Sequence, residues 1–260
     1  MYREVPNYSL FQFREKCFDY CVVIPVLNEN GRITEQLKRM IHYDIHCIAD
    51  IIIADGDSTD GSTAHDFLCS NNVSTLLVKK DMGRLSAQLR MAYDYALKMG
   101  YKGIVTIDGN NKDSVESIYE FINLLKKGYD FVQGSRFLKG GIEINTPKFR
   151  RFAIKYIHVP IINYISRYNY TDTTNGFKAY SRKYLNSPLV EPFREIFIDY
   201  DLLYYLTVKA PQLGFNVKEI PVTRSYPLGT IPTKLTPFKG SYLMLKPLLL
   251  LAIGYYDLKS

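Results

Sequence analysis

Continuous apolar runs, each ending in a polar turn, recur through the first half of the chain. They cover residues 21–27, 50–54, 75–78 and 103–107. Runs of this composition are typical of strands that are buried on both faces of a parallel sheet. The intervals between them carry helical patterns, at residues 33–41, from near Ser62 onward, and at residues 85–99. The alternation predicts an α/β fold with a doubly wound, mostly parallel sheet.

The alternation weakens beyond Gly141, although further elements can be recognised. Residues 148–168 form a basic, aromatic segment that is predicted to be helical, and residues 172–180 indicate a loop and a strand. A helix at residues 200–209 and a strand at residues 216–220 follow. A chain of 260 residues without a clear linker is expected to form one large domain. We therefore predict an N-terminal extension, a catalytic domain and a C-terminal tail, at residues 1–20, 21–236 and 237–260.

Basic residues outnumber acidic ones in this chain. There are 33 Lys and Arg against 26 Asp and Glu, which gives a formal net charge of +7. A basic surface favours an anionic partner such as an anionic lipid, a phosphorylated substrate or a nucleic acid, but it also simply improves solubility. Together with the motifs described below, we expect a phosphorylated substrate and no nucleic acid.

Neither the cysteines nor the first residues indicate a secreted protein. The four cysteines, at positions 17, 21, 47 and 69, form no CxxC pair, and no histidine stands at a zinc-like spacing from them. We therefore predict neither a structural zinc site nor a disulfide framework. Residues 1–19 lack the apolar run of a secretory signal, so we expect a cytoplasmic location.

An apolar segment near the C-terminus is a candidate for membrane contact. Residues 242–256 are mostly apolar, but Lys246 and Pro247 interrupt them. The segment is shorter than the roughly 20 residues that span a bilayer. Two interpretations stay open: a peripheral contact in the headgroup region at the cytoplasmic face of a membrane, or a helix packed on the core or on a second copy.

Polar side chains stand where the predicted strands end, at Asn28, Asp55, Asp57, Asp108 and Asn110. Ligands of doubly wound sheets bind beyond the carboxyl ends of the strands, so we expect these side chains to converge in one crevice. Asp108, with Asn110 as a weaker oxygen ligand, is predicted to hold a divalent metal, Mg²⁺ or Mn²⁺. An Asp-Gly-Asn sequence after a strand is also compatible with an ordinary turn.

The segment after the next predicted helix supplies a candidate phosphate ligand. Residues 132–141 read Val-Gln-Gly-Ser-Arg-Phe-Leu-Lys-Gly-Gly, so that a strand delivers Arg136 at its end. A guanidinium group can hold a phosphate through two hydrogen bonds. Sugar transfer from a nucleoside diphosphate develops negative charge on the leaving group, so a metal and an arginine on neighbouring strand ends suit a nucleotide-sugar site. No glycine-rich phosphate loop follows the first strand, which argues against kinases, GTPases and dehydrogenases.

Six motifs also occur in the order in which one enzyme family carries them. They are Pro25–Glu29, the Asp-rich turn at 55–61, Asp108–Asn110, residues 134–141, residues 172–180, and residues 219–222 followed by Arg224 and Thr233-Lys234-Leu235. The chain thereby resembles the family-two glycosyltransferases, in particular the dolichol-phosphate mannose synthases and polyprenyl-phosphate glycosyltransferases. The resemblance implies a GT-A fold, an inverting mechanism and action at the cytosolic face of a membrane.

The resemblance also implies roles for individual residues. It assigns the nucleotide sugar to Pro25, Asn28, Glu29, Asp55, Asp57, Asp108 and Arg136, and the donor or acceptor phosphates to Arg136, Arg224 and Lys234. For Arg224 and Lys234, a solvated loop charge is the alternative. The chain departs from the family at Asn110, where a second acid is usual, and at Gly56, since Asp57 stands one position later than the family's acid.

A further motif leaves the acceptor open. Residues 197–202, Phe-Ile-Asp-Tyr-Asp-Leu, resemble the stretch in which family members that act on hydroxyls keep their catalytic base, which would make Asp199 that base. A phosphate acceptor is already ionised and needs no base. A third interpretation is that Asp199 caps a helix that begins near Tyr200.

We therefore expect an enzyme that transfers a hexose from a GDP- or UDP-sugar to a membrane-associated acceptor, first of all a polyprenyl phosphate. A glycan hydroxyl, with Asp199 as the base, is the alternative acceptor. From another class, a nucleotidyltransferase or a nucleotide-binding module would use a similar sheet and similar acidic strand ends.

Overall fold

An eight-stranded mixed sheet lies at the centre of the protein, whose computed structural model describes residues 3–227 and 237–258, with side chains from Leu245 onward in the second range. The strands are β1 (Tyr8–Gln12), β2 (Tyr20–Val26), β3 (Asp50–Asp55), β4 (Val73–Lys79), β5 (Gly103–Thr106), β6 (Phe131–Ser135), β7 (Ile142–Ile144), β8 (Lys178–Ser181), β9 (Val217–Pro221) and β10 (Thr223–Ser225). The helices are α1 (Gly31–His42), α2 (His65–Ser70), α3 (Leu85–Lys98), α4 (Ile118–Lys126), α5 (Lys148–Ala153), α6 (Val159–Ser166), α7 (Arg182–Leu185), α8 (Asp201–Gln212) and α9 (Pro237–Ala252). A π-helical turn, Ile154–His158, joins α5 to α6.

The order of the strands confirms the predicted mostly parallel sheet. It is β1-β4-β3-β2-β5-β8-β6-β9, and β7 and β10 form a second, two-stranded sheet. Strands β4, β3, β2 and β5 run parallel, as do β6 and β9, whereas β1 and β8 are antiparallel to their neighbours. The four apolar runs correspond to β2, β3, β4 and β5, with ends that differ by at most two residues.

Two hydrophobic cores lie on opposite faces of this sheet. In β2, Cys21 and Val23 belong to one core, and Val22 and Ile24 belong to the other. The first core also contains residues of α3, α6, α8 and α9, and the second contains residues of α1, α2 and α4. Burial on both faces explains why these strands appear in the sequence as continuous apolar runs.

Strand β8 is inserted between β5 and β6 in the antiparallel direction, which the sequence pattern does not predict. This direction places the preceding residues, 171–177, at the carboxyl ends of β5 and β6. Beside them, β10 pairs with β7, and residues 112–114 form backbone hydrogen bonds with residues 223–225. The end of the sheet where we expected the site is therefore completed by three segments that are distant in sequence.

Residues near both chain termini pack on this domain. Strand β1, which lies in the predicted N-terminal extension, pairs with β4. In the predicted tail, Leu248 and Leu251 of α9 are buried in the first core, whereas Leu249 and Ile253 are 64% and 77% exposed. No helix among the described residues is long and apolar enough to cross a membrane. One face of the tail thus packs on the core, and membrane contact stays a prediction.

Candidate active site

The turns after β2 and β3 are tied together by their polar side chains. The carboxylate of Asp55, which is buried, accepts hydrogen bonds from the backbone N–H (3.0 Å) and the hydroxyl (2.6 Å) of Ser58. Burial raises the pKa of Asp55, although Ser58 offsets part of this effect. The side-chain oxygen of Asn28 accepts from the backbone N–H of Thr59 at 2.8 Å. The two turns are therefore held together as one preorganised surface at the carboxyl ends of β2 and β3.

The remaining predicted nucleotide residues differ in how they are held. The carboxylate of Glu29 lies 2.8 Å from the guanidinium of Arg32, on the first turn of α1. The side chain of Asp57 is 65% exposed and lies 3.5 Å from Lys80. Pro25 is in β2, and its carbonyl accepts a hydrogen bond from the backbone N–H of Gly109 at 3.3 Å. The β2 turn and the Asp108–Asn110 turn are thus in direct contact.

The Asp108 carboxylate pairs with an arginine and lies beside an unpartnered amide oxygen. Its Oδ2 accepts from Arg224 at 2.9 Å and lies 3.4 Å from the amide nitrogen of Asn110. The Oδ1 of Asn110 is buried and has no hydrogen-bond partner among residues 3–227 and 237–258. A free amide oxygen beside a carboxylate is a ligand pair that suits Mg²⁺ or Mn²⁺.

These two oxygens are few for a metal site. Within the described part of the chain, the one group of three His, Cys, Asp or Glu ligand atoms that lie within 4.8 Å of one another is Asp44, His46 and Cys47, which precedes β3. Parallel strands begin at that end of the sheet, opposite to Asp108. A metal held at Asp108 and Asn110 would therefore need oxygens from a bound substrate to complete its coordination.

Arg224 is not a solvated loop charge. It is 7% exposed in β10, and its guanidinium donates to Asp108, Asp113 and Asn175. Burial lowers the pKa of Arg224, but Asp113 and Asp108 more than offset this, so that its pKa lies well above the usual value. Its predicted partner in phosphate binding, Lys234, lies outside the described residues.

Arg136 is held by the protein itself. Its Nε and one terminal nitrogen donate to the two oxygens of Asp172 at 2.6 and 2.9 Å, and the same terminal nitrogen donates to Thr174 at 2.8 Å. Both partners of this ion pair are almost fully buried. The other terminal nitrogen faces the hydroxyl of Tyr226 at 3.4 Å. Two of the three guanidinium nitrogens therefore already donate to side chains of the protein. Binding of phosphate by Arg136 stays a prediction.

Four basic side chains surround the ring or hydroxyl of Tyr226. We call them the cation cluster: Lys112, Arg136, Arg150 and Arg224. Arg150 donates to the Tyr226 hydroxyl at 3.0 Å, and the Lys112 ammonium lies 4.9 Å from the ring centroid. Burial raises the pKa of Tyr226, but the three arginines outweigh burial, so that the pKa lies below its usual value. Such a field favours bound anions.

The sequence pattern did not single out Lys112, Arg150 or Tyr226. Lys112 stands two residues beyond Asn110, and Arg150 belongs to the basic segment at 148–168. The sequence shows both as basic residues but does not indicate that they meet at the site. Their convergence depends on the contact between residues 112–114 and β10, which links positions more than a hundred residues apart.

Comparison with known proteins decides the family of this chain. The sequence model of Glycosyl transferase family 2 matches residues 21–187. The chain belongs to this family. It is 26% identical over 207 residues to the polyprenol monophosphomannose synthase of Mycolicibacterium smegmatis, which covers 78% of this chain and 76% of that protein. It is also 26% identical over 196 residues to the dolichyl-phosphate hexose transferase of Haloferax volcanii, with 73% and 81% covered.

Solved structures agree on the fold. The glucosyl-3-phosphoglycerate synthase from Mycobacterium tuberculosis, in complex with Mn²⁺, uridine diphosphate and phosphoglyceric acid, superposes with a TM-score of 0.63 at 14% identity. The superposition covers 90% of this chain and 78% of that one. The protein is a family 2 glycosyltransferase with a GT-A fold, as the motifs predicted.

The glycine at position 176 keeps the loop before β8 close to Asp108. A Cβ at Gly176 would lie 2.6 Å from Asp108 Oδ1, which is shorter than any ordinary contact. We expect Gly176→Ala to displace the carboxylate and lower kcat roughly 10- to 100-fold, because small misplacements of catalytic groups are costly. Gly31→Ala is the matched control, since a Cβ there meets nothing within 4 Å. Equal kcat for both variants would show that the close approach does not position Asp108.

Asp199 does not cap helix α8. The helix begins at Asp201, whose carboxylate accepts from the backbone N–H groups of Ile198 (3.2 Å) and Leu202 (3.0 Å). The side chain of Asp199 is 31% exposed and lies 3.5 Å from Arg84. The capping interpretation is therefore wrong, and the side chain of Asp199 is partly exposed.

A buried basic pair lies beneath the loop at 171–177. The Lys178 ammonium donates to Gln133 at 2.7 Å and to Thr207 at 2.6 Å, and burial lowers its pKa to about 7. His158, in the π-helical turn, shares a 2.6 Å hydrogen bond with Thr173. Burial, followed by the nearby Lys178, lowers the pKa of His158 to about 3. The folded protein therefore keeps His158 neutral.

Stability is expected to fall on acidification because of His158. Between pH about 6.5 and about 3 the unfolded chain binds a proton at this residue and the folded protein does not, so unfolding is favoured as the pH falls. The slope should approach roughly 1.4 kcal/mol per pH unit for this residue. Chemical denaturation across this range measures the free energy of unfolding at each pH. This free energy should change less with pH in His158→Gln than in the control His42→Gln, which alters an exposed histidine. Identical slopes would contradict the assignment.

Proposed function

We propose that this glycosyltransferase transfers a hexose from a nucleoside diphosphate sugar to a polyprenyl phosphate, with inversion at the sugar carbon. The observation that carries the proposal is the cation cluster around Tyr226, which adjoins Asp108 at the carboxyl end of the sheet. Donor and acceptor both carry phosphates, and a site with two buried and two half-buried cations suits the pair. The names of the two relatives in mycolicibacteria and haloarchaea support a lipid-phosphate acceptor.

Asp108 and Asn110 would hold the divalent cation, Mg²⁺ or Mn²⁺, that we propose as cofactor. The carboxylate and the unpartnered Asn110 Oδ1 provide two oxygen ligands, and the donor diphosphate provides others. When bound, the cation neutralises charge that develops on the leaving diphosphate. Since Asn110 contributes no charge, we expect the metal to bind weakly without the donor.

The protein's own side chains explain the remaining steps. We propose that the side chains at the ends of β2 and β3 contact the nucleoside and ribose of a GDP- or UDP-sugar; they are Pro25, Asn28, Glu29, Asp55 and Asp57. Arg224, which pairs with Asp108, would stabilise negative charge beside the proposed metal. Arg136 would position the loop at 171–177 and direct one nitrogen toward the phosphates.

An anionic acceptor also decides how the nucleophile is activated. A phosphate oxygen is ionised at neutral pH, so it can attack the sugar carbon without a general base. The cation cluster would hold it and lower its repulsion from the donor phosphates. A glycan hydroxyl would instead need a proton acceptor, and the partly exposed Asp199 is the candidate.

The substitution Asp199→Asn separates these two acceptors. It removes a proton acceptor and keeps the size of the side chain. With a phosphate acceptor we expect kcat to fall less than about tenfold, whereas loss of a base would cost roughly 10²- to 10⁴-fold. Steady-state kinetics with saturating donor measures the difference. A collapse of kcat at unchanged nucleotide affinity would favour the hydroxyl acceptor.

The proposal as a whole is tested by a screen of donors and acceptors. UDP-, GDP-, CDP- and dTDP-sugars are offered with and without Mn²⁺ and with a polyprenyl phosphate, a glycan or no acceptor. The release of nucleoside diphosphate and of pyrophosphate is measured. We expect release that requires both the metal and the polyprenyl phosphate. Release with a glycan alone would replace the acceptor, and release of pyrophosphate would indicate a nucleotidyltransferase. We also propose that the protein works as a peripheral protein at the cytoplasmic face of a membrane, where it would meet a lipid acceptor.

A further inference from the structure

Helices α5 and α6, with the π-helical turn between them, expose large aromatic side chains. Phe149, Phe152, Tyr156 and Tyr164 are 72%, 55%, 61% and 88% exposed, and we call them the aromatic face. The opposite side of the same segment is buried, at Ile154, His158, Ile162 and Ser166. The spacing of four residues shows that one side packs on the protein and the other is presented outward.

The segment that carries the aromatic face is basic, although one of its arginines, Arg151, pairs with Glu143 of β7 at 2.7 Å. Residues 145–171 contain no Asp or Glu and five Lys or Arg. Lys148 and Lys155 are exposed, and the Lys155 ammonium lies 5.7 Å from the ring centroid of Tyr156. Aromatic rings flanked by basic side chains suit the headgroup region of a bilayer that contains anionic lipids. A second copy of this chain fits less well, because it would carry a net charge of +7 toward the same surface.

The aromatic face is joined directly to the candidate active site. Arg150, between Phe149 and the following exposed residues, turns inward and donates to the hydroxyl of Tyr226 at 3.0 Å. The same helix therefore presents an aromatic side chain to the outside and a member of the cation cluster to the inside. Helix α9 packs beside α6, and the exposed side chains of Leu249 in α9 and of Ile253, directly after it, lie in the same C-terminal segment.

We propose that the aromatic face docks on an anionic lipid bilayer and places the cation cluster at the level of the headgroups. The cation cluster could then bind a phosphate at the end of a lipid chain while the chain stays in the bilayer. The lipid-phosphate acceptor rests on the proposed function, whereas the docking rests on the exposed aromatic side chains and the basic side chains beside them.

Vesicle binding tests the docking. The full-length protein is mixed with vesicles of phosphatidylcholine with or without phosphatidylglycerol, and the bound fraction is measured by co-sedimentation. We expect binding to the anionic vesicles, and Phe149→Ser/Tyr164→Ser should weaken it about tenfold or more. Leu10→Ser/Leu189→Ser is the matched control, since these two side chains are 47% and 59% exposed elsewhere. Equal binding by both double variants would overturn the proposal.

Charge reversal tests the electrostatic part of vesicle binding independently. Lys148→Glu/Lys155→Glu should weaken binding to anionic vesicles at low salt about tenfold or more, whereas Lys126→Glu/Lys127→Glu, with the same net charge, should have little effect. An equal loss in both would indicate attraction by the whole chain and overturn the proposal. A loss confined to Leu249→Ser/Ile253→Ser, in α9 and directly after it, would also overturn the proposal.

The acceptor arm distinguishes docking from the proposed function. The aromatic variant should keep transfer to farnesyl phosphate in solution and lose transfer to undecaprenyl phosphate in vesicles. If the wild-type protein transfers to neither acceptor but still binds vesicles through the aromatic face, the proposed acceptor fails and the docking stands. If light scattering shows a dimer that Phe149→Ser/Tyr164→Ser dissociates, with vesicle binding unchanged, the face is an interface between copies and the docking fails.

Discussion

Replacement of Asp108 by alanine is expected to abolish sugar transfer, with kcat/KM falling roughly a thousandfold or more. Asp108 supplies the one carboxylate of the Asp-Gly-Asn turn, so its loss removes the charged ligand of the proposed metal site. Several kcal/mol of transition-state stabilisation depend on such a ligand. Folding should be little affected, because Arg224 keeps Asp113 and Asn175 as partners.

The effect is measured as steady-state transfer together with thermal unfolding. Asp66→Ala, at an exposed acid in the first turn of α2, controls for the loss of a negative charge. Addition of Mn²⁺ at high concentration should not restore Asp108→Ala, since Asn110 alone is a weak ligand. Near-normal turnover of a folded Asp108→Ala protein would remove this residue from the catalytic machinery.

Replacement of Arg224 by methionine is expected to lower the free energy of unfolding by about 3–5 kcal/mol and to abolish activity. The side chain of Asp113 is fully buried, and Arg224 is its ionic partner. Burial raises the pKa of Asp113, and Arg224 offsets part of this effect, so removal of Arg224 leaves a buried acid without compensation. From the sequence alone, a loop arginine would have been expected to affect activity more than stability.

A second substitution separates the two effects. In Arg224→Met/Asp113→Leu both partners are apolar, and most of the lost stability should return, because apolar side chains can replace a buried ion pair. Activity should stay absent, since the charge beside Asp108 is gone. As a contrast, Lys38→Met breaks an exposed pair with Glu35 and should cost less than about 1 kcal/mol. If the double variant were as unstable as Arg224→Met, burial of Asp113 would not be the cause.

The parallel core of the sheet could be predicted because its signal is local. Each of β2, β3, β4 and β5 is buried on both faces, and so each leaves a continuous apolar run in the sequence. Asp55 ends β3 and Asp108 follows β5, so both lie at the carboxyl ends of parallel strands, as predicted. The contact between Gly109 and Pro25 agrees with that expectation.

Pairing between distant segments could not be predicted in this way. Arg136 indicated a phosphate clamp, but nothing in its neighbourhood shows that Asp172, 36 residues away, occupies two of its nitrogens. The antiparallel insertion of β8 follows from tertiary pairing that no local pattern encodes. Strand β1 escaped notice for another reason, since its five residues are partly or fully exposed and show no apolar run.

A truncation that removes β1 is expected to make the protein prone to aggregation. Strand β4 is almost fully buried over seven residues, and β1 covers the backbone groups on its outer side. Without residues 8–12, β4 would present a long apolar edge with unpaired N–H and C=O groups, which is a template for pairing with another chain. A short, half-exposed strand at the margin of the sheet thus acts as a guard against aggregation.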